Sequence, residues 1–398
     1  MSGSELLDLS SAIVDGKLDG PTSRITNELS ELDDGLAIIE SFSNIVALNT
    51  GDGLVLFDAS SVFTAQGYTH GHVDHVGGSG FIASEAKTAG HELPNVVGHE
   101  AVGERFERYR QTDGWNKAIN ARQFGPGFGD GVEPFLAKQT LECSHTYRDQ
   151  MDLDIGGLKI ELHHDKGETD DHTWAWIPSL RAVAVGDLVA WVFPNAGNPQ
   201  KVQRYPVQWA AALRRMIALE PELLLPAHGL AVSGRARVAT VLGDVATVLE
   251  QLVHDVLAAM NTGATLDEIL HSVRVDDEML ARPWLRPIYD EPEFVVRNIY
   301  RLFGGWWDGD PAHLKPPPAQ ELARELTELA GGVDKLVQRA EALAQDGNYK
   351  MACQLIEFAA RSSEDEGVWN ARSQMYLKRA EAETSLMAKG VFGEAARR

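Results

Sequence analysis

The chain has 398 residues, 44% hydrophobic and 24% charged, as in an ordinary globular protein with room for more than one domain. With 36 Lys and Arg against 58 Asp and Glu, the formal charge is −22, which repels phosphate backbones and argues against a nucleic-acid partner. No apolar run reaches the roughly 18 residues of a spanning helix, which argues against membrane insertion.

Residues Met1–Ser11 include Glu5 and Asp8 but neither a basic run nor an apolar core, so they do not read as a signal peptide. Between about Ala37 and Gly229 short β-branched runs alternate with helical stretches, the pattern of an α/β layer fold. Strands are predicted over Ile45–Asn49, Leu54–Asp58, Val96–His99, Leu158–His163 and Ala182–Asp187. Many of them end in His or Asp, which puts polar groups at strand C-termini, where α/β sheets build sites. The segment holding Arg108, Arg110, Trp115, Asn116, Asn120 and Arg122 reads either as a lid or as a solvated helix. Trp174 and Trp176, two apart, are expected to divide between the core and the sheet packing. Cys143 and Cys353 are too few for a disulfide framework and too isolated for a thiolate zinc site, so a reducing cytoplasm is the expected setting.

After Ser233 the periodicity becomes helical. Val238, Val241, Leu242, Val245, Val248, Leu249 and Leu252 predict one long helix over Arg235–Asn261, stopped by Gly263. Arg282–Pro318, rich in Trp, Pro and Gly, reads as irregular. From Ala319 onward the chain is helical again, with hairpins around Asp334–Ala344 and Tyr349–Arg361 that faintly resemble tetratricopeptide units. The division expected is a catalytic α/β domain over 1–233 and a helical association domain over 234–398.

The segment Thr69-His70-Gly71-His72-Val73-Asp74-His75 carries the chemistry. Four metal-binding side chains fall within six residues in the order H-x-H-x-D-H. His70 and His72 can project the same way from an extended turn and grip one ion, leaving Asp74 and His75 to face a second. Imidazole with carboxylate suits zinc, with iron or manganese possible. No phosphate-binding glycine loop and no G-x-S-x-G elbow is present, so nucleotide and serine-hydrolase readings have no support.

This segment resembles the motif of the metallo-β-lactamase superfamily, an αββα sandwich, and later segments resemble its alkylsulfatase branch. The resemblance implies Glu168, in Lys166-Gly167-Glu168-Thr169, as the third ligand of the first ion; His172, four residues on, is the alternative. It implies Asp187, in Val185-Gly186-Asp187, as the bridging carboxylate and His228, in Pro226-Ala227-His228-Gly229, as the last ligand. His70, His72 and Glu168 would then hold one ion and Asp74, His75 and His228 the other, two zinc ions per chain. Asp74 or Asp187 would steer the proton, and His172 would act from behind the ligands or on the leaving group. Tyr289-Asp290-Glu291-Pro292, Gly304-Gly305-Trp306-Trp307 and Ser385–Gly390 resemble that branch's helical dimerisation domain, implying a homodimer with Trp306 and Trp307 at the interface.

Three features depart from the family pattern. Ten residues separate Asp58 from Thr69, too few for a parallel crossover. The sequence ends after the helical region, where larger alkylsulfatases continue into a lipid-carrier-like domain. The expected sulfate-gripping arginine is not obvious, leaving Asn195, Asn198, Lys201 and Arg204 as substitutes. The resulting expectation is a dizinc hydrolase of sulfuric esters of hydrophobic alcohols. The alternatives are the same chemistry on a carboxylic ester, lactone or phosphate ester, or a metal-stabilised binding protein without turnover.

Overall fold

The computed structural model describes residues 2–60, 68–125, 127 and 133–397. Strands β1 (Leu29–Asp33), β2 (Leu36–Ile39), β3 (Ile45–Asn49) and β4 (Leu54–Phe57) form an antiparallel meander. Strands β5 (Val97–His99) and β6 (His145–Tyr147) pair in parallel. A larger sheet follows from β7 (Gln150–Ile155), β8 (Leu158–His164), β9 (Thr173–Ile177), β10 (Ala182–Gly186), β11 (Leu223–Pro226) and β12 (Val232–Ser233), in the spatial order β12-β11-β10-β9-β8-β7. Helices α1 (Gly3–Val14), α2 (Val73–Val76), α3 (Ser79–Thr88), α4 (Ala101–Gln111), α5 (Asp113–Phe124) and α6 (Pro206–Ala218) belong to this half.

The two main sheets face each other. Leu36, Ile38, Val46 and Leu48 of the meander share one core with Ile160, Leu162, Ala175 and Val183 of the larger sheet, giving the αββα sandwich. β9 and β10 are buried along their whole length, which explains their continuous apolar runs. β10 pairs in parallel with β11, and α6 provides the crossover between them, opened by Pro206 in its first turn. Both Trp174 and Trp176 are buried; Trp174 stacks on His163 at 4.2 Å and donates Nε1–H to Asp165 at 2.8 Å.

The second half contains α7 (Arg235–Asn261), α8 (Leu266–Ser272), α9 (Asp277–Leu280), α10 (Pro292–Gly304), α11 (Pro311–Leu314), α12 (Ala319–Leu329), α13 (Val333–Gln345), α14 (Tyr349–Arg361), α15 (Glu366–Ala382) and α16 (Leu386–Ala395). One expectation needs correction here. The Trp-, Pro- and Gly-rich stretch 282–318 contains α10, whose apolar face (Val295, Val296, Ile299) is buried, with Pro292 starting the helix and Gly305 at φ +86° ending it. The expected division at 233/234 does not mark a break in the core. Val238, Leu249, Ile269, Trp284 and Ile299 all join the sandwich core, and a separate cluster begins only at Leu336, with Ala340, Ile356, Ala359 and Met375. The short link between Asp58 and Thr69 lies largely in residues 61–67, outside the described residues, but its ends are joined: Thr69 N–H donates to Asp58 Oδ1 at 2.7 Å.

Candidate metal centre

The ends of β4, β8, β10 and β11 and the turn into α2 converge at one edge of the sandwich. The loop Thr69–His72 leads into α2, and Asp74 and His75 lie within that helix. The turn after β8 brings Glu168, and β10 and β11 lead directly into Asp187 and His228. Three overlapping groups place ligand atoms within 4.8 Å of one another: His72, Glu168 and Asp187; Asp74, His75 and His228; and His70, His75 and Asp187.

Distances within these groups test whether the residues fit metal ions. Asp187 Oδ1 lies 3.4 Å from His75 Nε2 and 3.3 Å from His228 Nε2, while its Oδ2 faces His70 Nε2 at 3.6 Å. Asp74 Oδ2 lies 3.5 Å from His75 Nε2 and 3.6 Å from His228 Nε2, and Glu168 Oε1 lies 3.7 Å from His72 Nδ1. Zinc coordinated tetrahedrally at about 2.0–2.1 Å holds its donors about 3.3–3.4 Å apart, so these separations are those of donors sharing an ion rather than of hydrogen bonds. His75 Nε2 and Asp187 Oδ1 are buried without a hydrogen-bond partner, as donors reserved for a cation would be. The two oxygens of Asp187 face different histidines, which suits a bridge. His70 stands between the groups, its Nε2 also 2.9 Å from His72 Nδ1.

The opposite ring nitrogens are held from behind. His75 Nδ1 lies 2.9 Å from Asp58 Oδ2 and 3.2 Å from Ser43 Oγ, and His228 Nδ1–H donates to the Phe42 carbonyl at 2.6 Å. Thr69 Oγ1–H donates to Asp58 Oδ2 at 3.0 Å and sits 3.0 Å from His70 Nδ1. One carboxylate, Asp58, therefore orients two candidate ligands, fixing their tautomers with the free lone pair forward. The sequence reading saw Asp58 only as a strand end.

Protonation follows from burial and neighbours. Burial, then the charges of His75 and His72, hold His70 well below the usual imidazole range; burial, then Arg105, does the same for His72. Burial alone would raise the carboxyls of Asp74 and Asp187, but neighbouring imidazoles, His75 first, outweigh it and keep both ionised. Burial raises Glu168 to about 8 against the pull of Arg204. A bound cation reverses that burial effect, since it favours the carboxylate.

The remaining expected residues fall into place differently. His172 is fully buried, its ring stacked on His70 at 5.0 Å, and its Nε2 accepts the N–H of Asp187 at 3.2 Å. Its Nδ1 is buried without a hydrogen-bond partner. Burial lowers it to about 4. Arg204 is turned onto Glu168 Oε1 at 2.5 Å and the Asn195 carbonyl at 2.6 Å, and Asn195 Nδ2–H also donates to Glu168 Oε1 at 2.6 Å. Asn198 Oδ1 accepts the N–H of Gln200 in a local turn. Lys201 Nζ has Asn120 Oδ1 at 3.3 Å, and burial, then Arg204, lowers its pKa to about 8.

Comparison with known proteins bears on this arrangement. Residues 68–228 match the family described as the Metallo-beta-lactamase superfamily, and residues 265–398 match the family described as Alkyl sulfatase dimerisation. A linear primary-alkylsulfatase of Pseudomonas sp. (strain ATCC 19151) is 29% identical over 318 residues, covering 75% of this chain and 59% of that protein. An (R)-specific secondary-alkylsulfatase of Pseudomonas sp. is 25% identical over 324 residues, covering 75% and 48%. The chain thus joins a match to the metallo-β-lactamase superfamily with a match to the alkylsulfatase dimerisation family, and it is similar to alkylsulfatases along three quarters of its length. The solved structure of the stereoselective inverting sec-alkylsulfatase Pisa1 from Pseudomonas sp. superposes with a TM-score of 0.79 at 20% identity, covering 93% of this chain and 66% of that one. The chain thus spans about half to two thirds of the length of these relatives.

In this alkylsulfatase-like chain the helical half forms part of the site wall. Asp290 Oδ2 accepts the N–H of Gly197 at 2.6 Å, Asn298 Nδ2–H donates to the Arg204 carbonyl at 3.1 Å, and Tyr289 Oη accepts from Gln123 Nε2 at 2.9 Å. None of these long-range contacts leaves a local signature in the sequence.

Proposed function

We propose that this chain is a dinuclear zinc hydrolase that cleaves the sulfuric ester of a hydrophobic alcohol. The observation that carries the reading is the convergence of His70, His72, Glu168, Asp74, His75, Asp187 and His228, with ligand atoms spaced as around shared ions. We assign His70, His72 and Glu168 to one ion and Asp74, His75 and His228 to the other, with Asp187 bridging. When bound, such ions supply Lewis acidity and a water made acidic enough to react near neutral pH.

The chain's own residues do the rest. Asp187 Oδ1 and Oδ2 fix the separation of the two ligand sets, and Asp58, Ser43 and the Phe42 carbonyl keep the imidazoles in one tautomer and orientation. Asp74 is the more open carboxylate of the site, 26% exposed against 7% for Asp187, and accepts the proton that water gives up. Lys201, a half-buried ammonium bonded to the neutral Asn120, receives the anionic oxygens of the ester. Arg204 and Asn195 act one step back, holding Glu168 toward the ligand set. One molecule of water is consumed for each ester cleaved, and the products are the alcohol, the dianion of the acid and one proton, which Asp74 passes to solvent.

Because Arg204 and Asn195 are engaged by Glu168, they are not free to grip sulfate, and this favours a second reading in which the substrate is a carboxylic, lactone or phosphate ester. Metal content measured beside a panel of alkyl sulfates, aryl sulfates, carboxylic esters and phosphodiesters, with and without chelator, separates the two. Two ions with chelator-sensitive sulfate release supports the first reading; turnover of another ester alone supports the second; absence of metal refutes both.

The same proposal includes a homodimer. Trp306 is 74% exposed and Phe303 half exposed at the end of α10, an apolar patch suited to a second copy. A monomer by light scattering at micromolar concentration would refute it.

A further inference from the structure

The two loops that carry His70, His72 and Glu168 come from distant parts of the chain, and one buried cation joins them. Arg105 on α4 is 2% exposed. Its Nε–H donates to Asp171 Oδ2 at 2.8 Å, and its Nη2 pairs with Asp170. The same Asp171 Oδ2 accepts the N–H of Gly71 at 3.0 Å, and Gly71 is the residue between His70 and His72. A methyl group on Gly71 would lie 2.8 Å from Arg105 Cδ and 3.0 Å from Asp171 Oδ2, so loop, carboxylate and guanidinium pack without slack. Elsewhere the loops are tied by Thr173 N–H donating to the Thr69 carbonyl at 2.7 Å. That bond fixes the base of the junction and leaves its tip, where the ligands stand, to Arg105.

We propose that Arg105, acting through Asp171, is a positioning residue that sets the spacing between the His70–His72 pair and Glu168, and so the affinity for the one ion these residues hold. The inference rests on the ligand assignment proposed above. Arginine suits the task because its rigid fork reaches Asp170 and Asp171 together, which a lysine ammonium on a flexible stem does not reproduce. The histidines of the other ion are oriented independently: His75 leans on Asp58 and Ser43, and His228 on the Phe42 carbonyl. Loss of the fork is therefore expected to weaken one ion and spare the other, whereas general loosening of the fold would weaken both.

The test uses the full chain as wild type, Arg105→Lys, Asp171→Asn and Asp170→Asn. Each is stripped of metal, checked for folding by thermal melting, and titrated with zinc against a chromophoric chelator, with cobalt absorption as an independent count. Arg105→Lys and Asp171→Asn are expected to bind one ion as the wild type does and the other at least tenfold more weakly. Asp170→Asn, which removes one arm of the fork, weakens the same ion about threefold. Binding of both ions at wild-type strength, or equal weakening of both, overturns the proposal. Should Arg105→Lys fail to fold, Asp171→Asn decides, and should that fail, Asp170→Asn decides on the same criterion. A wild type that binds fewer than two ions refutes the ligand assignment itself, whereas a two-ion wild type with unselective variants refutes only the role of Arg105.

Discussion

Gly186→Ala addresses the bridging position through the backbone rather than through a ligand. Gly186 has φ +53°, a left-handed conformation that costs an alanine about 1–2 kcal/mol. A Cβ there would lie 2.7 Å from His172 Nε2 and 2.8 Å from both Cβ and Oγ1 of Thr69, where ordinary contact begins near 3.4 Å. Something must yield by about 0.6 Å, the difference between those last two distances. Neither neighbour gives easily. Thr69 is held to Asp58 by two hydrogen bonds, and His172 accepts the N–H of Asp187. Overpacking of this kind costs about 1–3 kcal/mol, so the total expected loss is about 2–5 kcal/mol. The displacement falls on Asp187, and shifts approaching 1 Å at a reacting centre cost up to about 100-fold in rate. Denaturant unfolding of the metal-free protein reads the first quantity, and metal content with turnover of the active ester reads the second. A variant within about 0.5 kcal/mol of wild type, with both ions and twofold-unchanged turnover, would refute the reasoning, because the backbone would then be shown to have slack at the bridge.

Three further outcomes are expected. Asp58→Asn removes the charge that orients His75 and, through Thr69, His70, and is expected to weaken metal binding about 10–100-fold in chelator competition; wild-type affinity would count against it. Arg204→Met removes the cation that opposes the burial of Glu168, so its carboxyl is expected to rise further and zinc affinity to fall near neutral pH and recover as pH rises; the wild-type pH profile of zinc binding would show that the ion does not reach Glu168. Burial raises Asp290 to about 7, so the folded state keeps its proton while the unfolded chain loses it near pH 4. Stability from this group is thus present at low pH and lost as pH rises from about 4 to 7. Melting temperatures of metal-free protein are expected to fall across that window more steeply in wild type than in Asp290→Asn, and parallel profiles would remove the raised carboxyl from the account.

The candidate site was legible where its chemistry is local. Four ligand side chains within His70–His75 are improbable for any structural reason, and the strands leading to Asp58 and Asp187 announce themselves as apolar runs ending in a polar residue. Glu168, Asp187 and His228 become candidates through the resemblance. What the sequence did not disclose depends on partners 15 to 100 residues apart. Arg105 looks like any helical arginine until Asp171 and Gly71 are seen beside it, at sequence separations of 66 for Asp171 and, from Asp171 to Gly71, 100. The helix α10 was hidden because its flanks, Arg282–Glu291 and Gly305–Pro318, carry the breakers that dominate a reading by composition, whereas its own apolar face is regular.

The helical half is more than an attachment to a finished catalytic domain. The loop after Asp187 carries Asn195, Gly197, Lys201 and Arg204, and two of its backbone groups are satisfied from beyond residue 234. Asp290 takes the Gly197 N–H, Asn298 takes the Arg204 carbonyl, and the side chain of Asn298 also accepts from Gln203 at 2.9 Å. Buried backbone groups without such partners carry a cost comparable to a lost hydrogen bond each, so this loop has no reason to hold its shape without α10. The sandwich core makes the same point on the apolar side, since Val238 through Ile299 pack into it with the residues of β10 and β11. The position of the loop that carries Asn195, Lys201 and Arg204 is therefore set jointly by the two halves. The energetic boundary between them lies past α10, where the second core begins at Leu336.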